Sequence, residues 1–167
     1  SEDINKIGQE LTSVTTPINE LNRFLGGNVT TGRLGEWSLE SIVQDIMPDG
    51  SYKFQHMINP QTRDKVDCTV TTADGIYVPI DSKFYSGQFK NYQSANDDKK
   101  RKEVLRDLRT AILRDAKAIS QQYILQNMTS NYAILYIASE KLIDLVDKID
   151  ALRQECLAEH KILIQGP

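Results

Sequence analysis

Apolar and polar residues alternate along two short runs on either side of a turn. Val66, Cys68 and Val70 alternate with Asp67, Thr69 and Thr71; Ile76, Val78 and Ile80 alternate with Tyr77, Pro79, Asp81 and Lys83. Ala73-Asp74-Gly75 stands between them. Period-two alternation around a glycine turn predicts a β-hairpin. A three-residue loop closed by Gly75 in the left-handed region pairs Thr72 with Ile76, Val70 with Val78 and Cys68 with Ile80. That register gathers the apolar residues on one face. A two-residue loop would split them between faces.

Other patterns supply the rest of the fold. In residues 4–25, Ile4, Ile7, Leu11, Val14, Ile18, Leu21 and Leu25 recur at helical spacing, with a break near Pro17. This stretch, taken with the loop to residue 29, reads either as the end of a coiled coil or as a helix covering the core. A second helix is expected over 33–47, with Leu39, Ile42, Val43, Ile46 and Met47 on its buried face. Strands are expected at 52–58, 65–72 and 76–84, followed by a polar connection over 85–97. A long helix then runs from a cap at Asp97 or Asp98 to about residue 126, with Leu105, Leu108, Ile112, Ile119 and Tyr123 as its seam. Tyr132–Ala138 is a continuous apolar run suited to a strand buried on both faces. Ser139 caps a helix carrying Leu142, Val146, Ile149 and Leu152, and Lys161–Ile164 is a last strand. The fold class is α/β: a mixed sheet, with a three-stranded antiparallel meander plus parallel strands, and helices on its faces.

The hairpin has a chemical consequence. Continued by one step, its register sets Asp67 across from Asp81, with Cβ atoms roughly 5 Å apart. At an effective dielectric of about 20 that repulsion is about 3 kcal/mol. A divalent cation, Mg²⁺ or Mn²⁺, would offset it, because hard cations take carboxylate oxygens. The Ser82 backbone carbonyl lies between the ligands, and Lys83 falls on the same face as Asp81, within reach of a water held there. Glu36 falls between Val43 and Met47 in helical angle and so points inward near the two aspartates; Glu40 is a weaker candidate at the border of that face. A carboxylate on an apolar face needs a partner, which for Glu36 is either this site or a basic side chain. Lys99, Lys100, Arg101 and Lys102 form a charged helix start, read as a solvated face or as a contact to a phosphate backbone.

A helix Glu, a hairpin Asp and then Asp-x-Lys is the layout of the PD-(D/E)xK nuclease superfamily, here Glu36, Asp67 and Asp81-Ser82-Lys83. Two longer blocks are more specific. TGRLGEWSLESIV is similar to the RGxWGExxLExIL opening of the RmuC family of DNA recombination proteins, and KVDCTVTTADGIYVPIDSKFY resembles its RPDxxVxLPDGxxxxIDSKxxL block. The segments from Tyr132 to Ile143 and from His160 to Pro167 fit the family more loosely, as do Arg114, Lys117 and Tyr123. Val66 stands where the family has Pro. The resemblance covers residues 30–167 and implies a restriction-endonuclease-like domain there, after a coiled coil ending in 1–29. It also implies metal-dependent DNA cleavage in recombination, or a nuclease-like DNA-binding scaffold without cleavage. The expected partner is duplex, hairpin or branched DNA, with no small-molecule cofactor and with self-association through the upstream coiled coil. The full-length protein would be cytoplasmic, or carry a membrane anchor upstream.

Totals change this picture little. The 167 residues suffice for one domain with a sizeable core, and 40% hydrophobic with 26% charged residues is ordinary for a globular chain. A net charge of −3 is no bulk nucleic-acid signature, so any DNA contact rests on local basic patches. Cys68 and Cys156 lie in apolar surroundings, which suggests a reducing compartment.

Overall fold

The computed structural model describes residues 39–166. The helical stripe at 4–25, Glu36 and the GEWSLE block up to Ser38 lie outside the described residues. The described chain runs α1 (Leu39–Ile46), β1 (Tyr52–His56), β2 (Val66–Thr71), β3 (Tyr77–Lys83), α2 (Ser86–Ser94), α3 (Asp98–Tyr123), β4 (Ala133–Ile137), α4 (Glu140–Asp147), α5 (Leu152–His160) and β5 (Ile162–Gln165).

The five strands form one sheet in the order β1-β2-β3-β4-β5. β1, β2 and β3 are antiparallel, while β3-β4 and β4-β5 are parallel, so the sheet is mixed. The expected hairpin register is observed: Cys68 pairs with Ile80 and Val70 with Val78. Thr72 N–H donates to Ile76 O at 2.9 Å, and Gly75, at φ +80°, donates to Thr72 O at 2.9 Å. β4 is buried along its whole length, as its unbroken apolar run requires.

Two cores sandwich the sheet. On one face Leu39, Ile42 and Val43 of α1 pack on Cys68, Val70, Val78, Ile80, Ile134 and Tyr136. On the other, α3, α4 and α5 cover Leu135, Ile137, Ile162 and Ile164, with Phe89 and Tyr92 of α2 at the edge. Asp97 caps α3 by accepting from Lys100 N–H at 2.7 Å, and Ser139 caps α4 by accepting from Leu142 N–H at 3.3 Å. Burial pushes the thiol of Cys68 up to about 12 and that of Cys156 up to about 11, so both free cysteines are unreactive at neutral pH.

Two expectations are corrected. The polar connection contains α2, whose residues are not fully buried and which therefore leaves little hydrophobic periodicity in the sequence. The single helix after Ser139 is two: the chain breaks after Asp147 and restarts at Leu152, with Ala151 at φ +57°. Arg153 clamps the break, donating to Asp147 Oδ1 at 2.7 Å and to Ile164 O at 2.8 Å.

Gly75→Ala tests the turn. No atom crowds a Cβ there, so the cost is the left-handed backbone alone. We expect a loss of about 1 kcal/mol in urea unfolding, with Gly75→Asn losing less because Asn tolerates that region.

Candidate functional site

The β2–β3 ladder stops at Cys68–Ile80. Beyond that pair the two strands fork. Ser82 N–H, which would have bonded β2 backbone had the ladder continued, donates instead to Asp67 Oδ2 at 2.8 Å. The Asp67 carboxylate thus bridges the fork. This modifies the expected geometry: Asp67 and Asp81 are neighbours across the hairpin but not a ladder pair.

β2 also rotates at Asp67. Val66 packs in the core under α3, while Cys68, two residues on, packs in the core under α1. β1 turns over at the same level. Tyr52 and Phe54 pack on the α1 side, whereas the His56 ring reaches Thr69 Oγ1 at 2.8 Å and meets Tyr77 edge-on at 4.6 Å. The residue between, Gln55, has φ +47°, a left-handed backbone inside a strand. Its side chain donates to Asp67 Oδ1 at 3.3 Å. Both Asp67 oxygens therefore have protein donors.

Asp81 is in a different environment. It is only 8% exposed, and its pKa is raised. Burial is the largest cause, the Lys83 charge opposes it, and the Asp67 and Asp115 charges add to it. Lys83 Nζ stands 3.2 Å from Asp81 Oδ2, close enough to hold its charge but without the angles of a hydrogen bond. The buried oxygen has a charge beside it and no hydrogen bond among the described residues.

α3 roofs the fork. Tyr123 donates to Lys65 O at 3.1 Å, at the entry to β2, and Tyr85 donates to Asp115 Oδ2 at 2.7 Å, just past the exit of β3. Arg114 Nε lies 3.6 Å from Asp115 Oδ1. Burial raises the Tyr123 pKa, and the charges of Asp81, Asp64 and Asp67 add to it. Tyr85 and Asp115 were not singled out in the sequence. Asp115 was detectable: it lies between Ile112 and Ile119, at i+3 and i−4, as a carboxylate inside an apolar seam.

Asp67, Ser82, Asp81 and Lys83 are brought together. Glu36 is outside the described residues. Glu40 is exposed on α1, which packs on the sheet face carrying Cys68, and its charge acts on that thiol. Lys99, Lys100, Arg101 and Lys102 occupy the start of α3, with Arg101 paired to Asp98 at 3.1 Å. They are roughly 20–24 Å along the helix from Asp115. Among the described residues no group of three or more His, Cys, Asp or Glu stands in metal-binding geometry. Two carboxylates remain, which is what Mg²⁺ commonly takes from protein before waters and substrate phosphate complete its shell. Asp67 and Asp81 are the described residues that could hold such an ion.

A model of the RmuC family matches residues 1–167. The chain belongs to the RmuC family. It is 23% identical over 168 aligned residues to the DNA recombination protein RmuC homologs of two Xylella fastidiosa strains, Temecula1 and 9a5c. These alignments cover 95% of the chain but 37% of each relative, so the chain spans about a third of their length. No solved structure matches it. Among the described residues of this RmuC-family chain, no helix is long and apolar enough to cross a membrane.

Two variants test the site. Gln55→Gly removes backbone strain and one exposed hydrogen bond, so it should be neutral or stabilising. Gln55→Val forces a β-branched residue into the left-handed region and should cost about 1–2 kcal/mol in urea unfolding.

Asp81→Asn tests the buried charge. Because the folded pKa is raised above the ordinary 3.8, ionised Asp81 destabilises the fold above that raised value, and the cost lifts as pH falls through it. The variant should therefore be the more stable at neutral pH without divalent ions. The difference should close as pH falls to the ordinary carboxylate range. A less stable variant at neutral pH would mean that the Lys83 pairing outweighs burial.

Proposed function

We propose that this domain acts on DNA in recombination, hydrolysing phosphodiester bonds with Mg²⁺ or Mn²⁺ held by Asp67 and Asp81. The observation that carries the proposal is the buried Asp81 Oδ2, which lacks a hydrogen bond beside Lys83 and a second carboxylate at a strand fork. Family membership supports the setting, since the relatives named above are DNA recombination proteins. A bound divalent cation supplies Lewis-acid charge and acidifies water.

The chain's own residues divide the remaining work. Ser82 N–H and the Gln55 amide fix the Asp67 carboxylate. Asp81 presents an oxygen in a dry setting, where electrostatic attraction to a cation is strong. Lys83, 39% exposed on its side chain, faces both the site and solvent. From there its ammonium orients water and neutralises phosphate charge. Glu36 is a further ligand in this proposal, and Glu40 a weaker one. The basic start of α3, Lys99, Lys100, Arg101 and Lys102, is a remote phosphate contact. Self-association through a coiled coil ending in residues 1–29 belongs to the same proposal, as does a cytoplasmic location.

A second reading has one observation in its favour. Each Asp67 oxygen already has a protein donor, and Lys83 already pairs with Asp81, so the cluster holds together without a bound cation. Such a domain would bind DNA without cutting it.

Thermal melts with and without Mn²⁺ separate the two. At tenfold excess over Kd, wild type should gain roughly 3–6 °C, and Asp67→Asn, which keeps an acceptor for Ser82, should gain nothing. Lys83→Ala should keep the metal response while cleavage of duplex, hairpin or branched DNA falls by about 100-fold or more. Loss of stability in metal-free Asp67→Asn, with no Mn²⁺ response in wild type, would establish the non-cleaving reading instead.

A further inference from the structure

A second polar cluster lies on the sheet face that carries Asp81, and the proposed chemistry does not use it. Tyr77 stands on β3 four residues before Asp81 and shares its face, since Val78 and Ile80 between them pack on the α1 side. Lys53, in register with Thr69 on β2, shares that face too, because Tyr52 and Phe54 turn to the α1 side. Exposed Lys53 donates from Nζ to the Tyr77 hydroxyl at 3.1 Å and stands 5.0 Å from the centre of its ring. The His56 ring closes the group against Tyr77 and Thr69. Burial, and then the Lys53 charge, lower the His56 pKa, so at neutral pH that ring is uncharged. Among the described residues no carboxylate pairs with Lys53. The Tyr77 oxygen accepts from Lys53, which leaves its own proton to donate outward.

We propose that Lys53 and Tyr77 form a second phosphate subsite, which holds a neighbouring backbone phosphate of the nucleic-acid strand bound at Asp67, Asp81 and Lys83. This rests on the reading of that cluster as a phosphodiester site, though not on cleavage there. β1 sets the spacing. Gln55, whose amide reaches Asp67 Oδ1 at 3.3 Å, is two residues from Lys53, at most roughly 7 Å along a strand. A single nucleotide step laid along β1 spans such a distance. β1 is the edge of the sheet, and no strand pairs beyond it among the described residues. An ammonium without a counter-ion beside a phenolic proton is complementary to phosphate: one charged donor and one neutral donor converge on its oxygens. The Tyr77 ring holds the ammonium in place without cancelling its charge. In a chain of net charge −3, local cations of this kind are what can hold a polyanion.

The test is fluorescence anisotropy on a labelled oligonucleotide, single-stranded and as duplex, in metal-free buffer at several salt concentrations. It compares wild type with Lys53→Ala, Lys53→Arg, Tyr77→Phe and Lys141→Ala. Lys141 is the control, a lysine on α4 set over the Phe89 ring as Lys53 is over Tyr77. Between about 50 and about 200 mM salt, wild type should lose about 3-fold more affinity than Lys53→Ala, one phosphate's share of counterion release. Lys53→Arg and Lys141→Ala should keep the wild-type salt dependence. Tyr77→Phe should bind roughly 2- to 10-fold more weakly at every salt concentration, because it loses a neutral donor. If Lys53→Ala keeps the wild-type salt dependence while wild type binds DNA and melts later in Mn²⁺, the subsite is overturned and the metal site stands. A salt dependence that falls with Lys53 in a protein that ignores Mn²⁺ upholds the subsite and removes the metal site. An equal fall in Lys141→Ala overturns the subsite, since any surface cation would then serve. A melting shift with inorganic phosphate that Lys53→Ala loses, with its DNA salt dependence unchanged, assigns the pair to a small phosphate ligand and overturns the backbone contact. If wild type binds neither oligonucleotide, the subsite falls with the DNA reading. Should Lys53→Ala fold poorly, wild-type affinity in Tyr77→Phe overturns the proposal by itself.

Discussion

One hydrogen bond organises the candidate site: Ser82 N–H to Asp67 Oδ2, across strands that have stopped pairing. A buried backbone N–H left without a partner costs about 1–3 kcal/mol. A ladder that ends inside a sheet therefore needs a side chain to take over where the carbonyls leave off. Asp67 does so, and a charged acceptor is the strongest substitute available. The price is that a carboxylate is fixed within reach of a second one. α3 then holds the fork from above at two points, Tyr123 on Lys65 O and Tyr85 on Asp115.

The two aspartates are chemically unequal because the fork is asymmetric. Asp67 is half-buried and has two donors, whereas Asp81 is buried with a lysine beside it and an oxygen without a hydrogen bond. The repulsion across the hairpin that the sequence suggests is a lesser cause of the raised Asp81 pKa than burial. The distinction matters for function. Repulsion would be relieved by moving the side chains apart, while a desolvated charge is relieved by protonation or by a cation beside it, as Lys83 already is.

The sequence revealed most where side chains alternate between two environments. The hairpin register, the Gly75 turn, both helix caps and the buried β4 strand all follow from pattern, because each position there has one solvent class and one spacing. It failed where backbone geometry departs from the repeat. Nothing in Phe54-Gln55-His56 marks a left-handed residue, since Gln has no preference for that region, yet it is where β1 turns over. The fork was hidden for the same reason: alternation continues through Asp67 and Asp81 although pairing does not. The break after Asp147 carries neither Gly nor Pro, so Ile149 and Leu152 looked like a continued stripe. Within the site, Asp67, Asp81 and Lys83 could be read from the residues, while Gln55 and Tyr85 could be found only from contacts.

The mixed sheet explains why such a fork can exist. β3 is the strand at which pairing changes from antiparallel to parallel. On its β2 side the register ends at Ile80, but on its β4 side it continues through Ile80–Ile134, Asp81–Leu135, Ser82–Tyr136 and Lys83–Ile137. One edge of the Asp81-Ser82-Lys83 run is thus open to the Asp67 side chain while the other is held to a fully buried strand. In a purely antiparallel meander ending at β3, opening the same ladder would leave those residues unsupported. With β4 behind them they are rigid where they must be open, and this is the condition a site needs to hold charged groups close together without letting them relax apart.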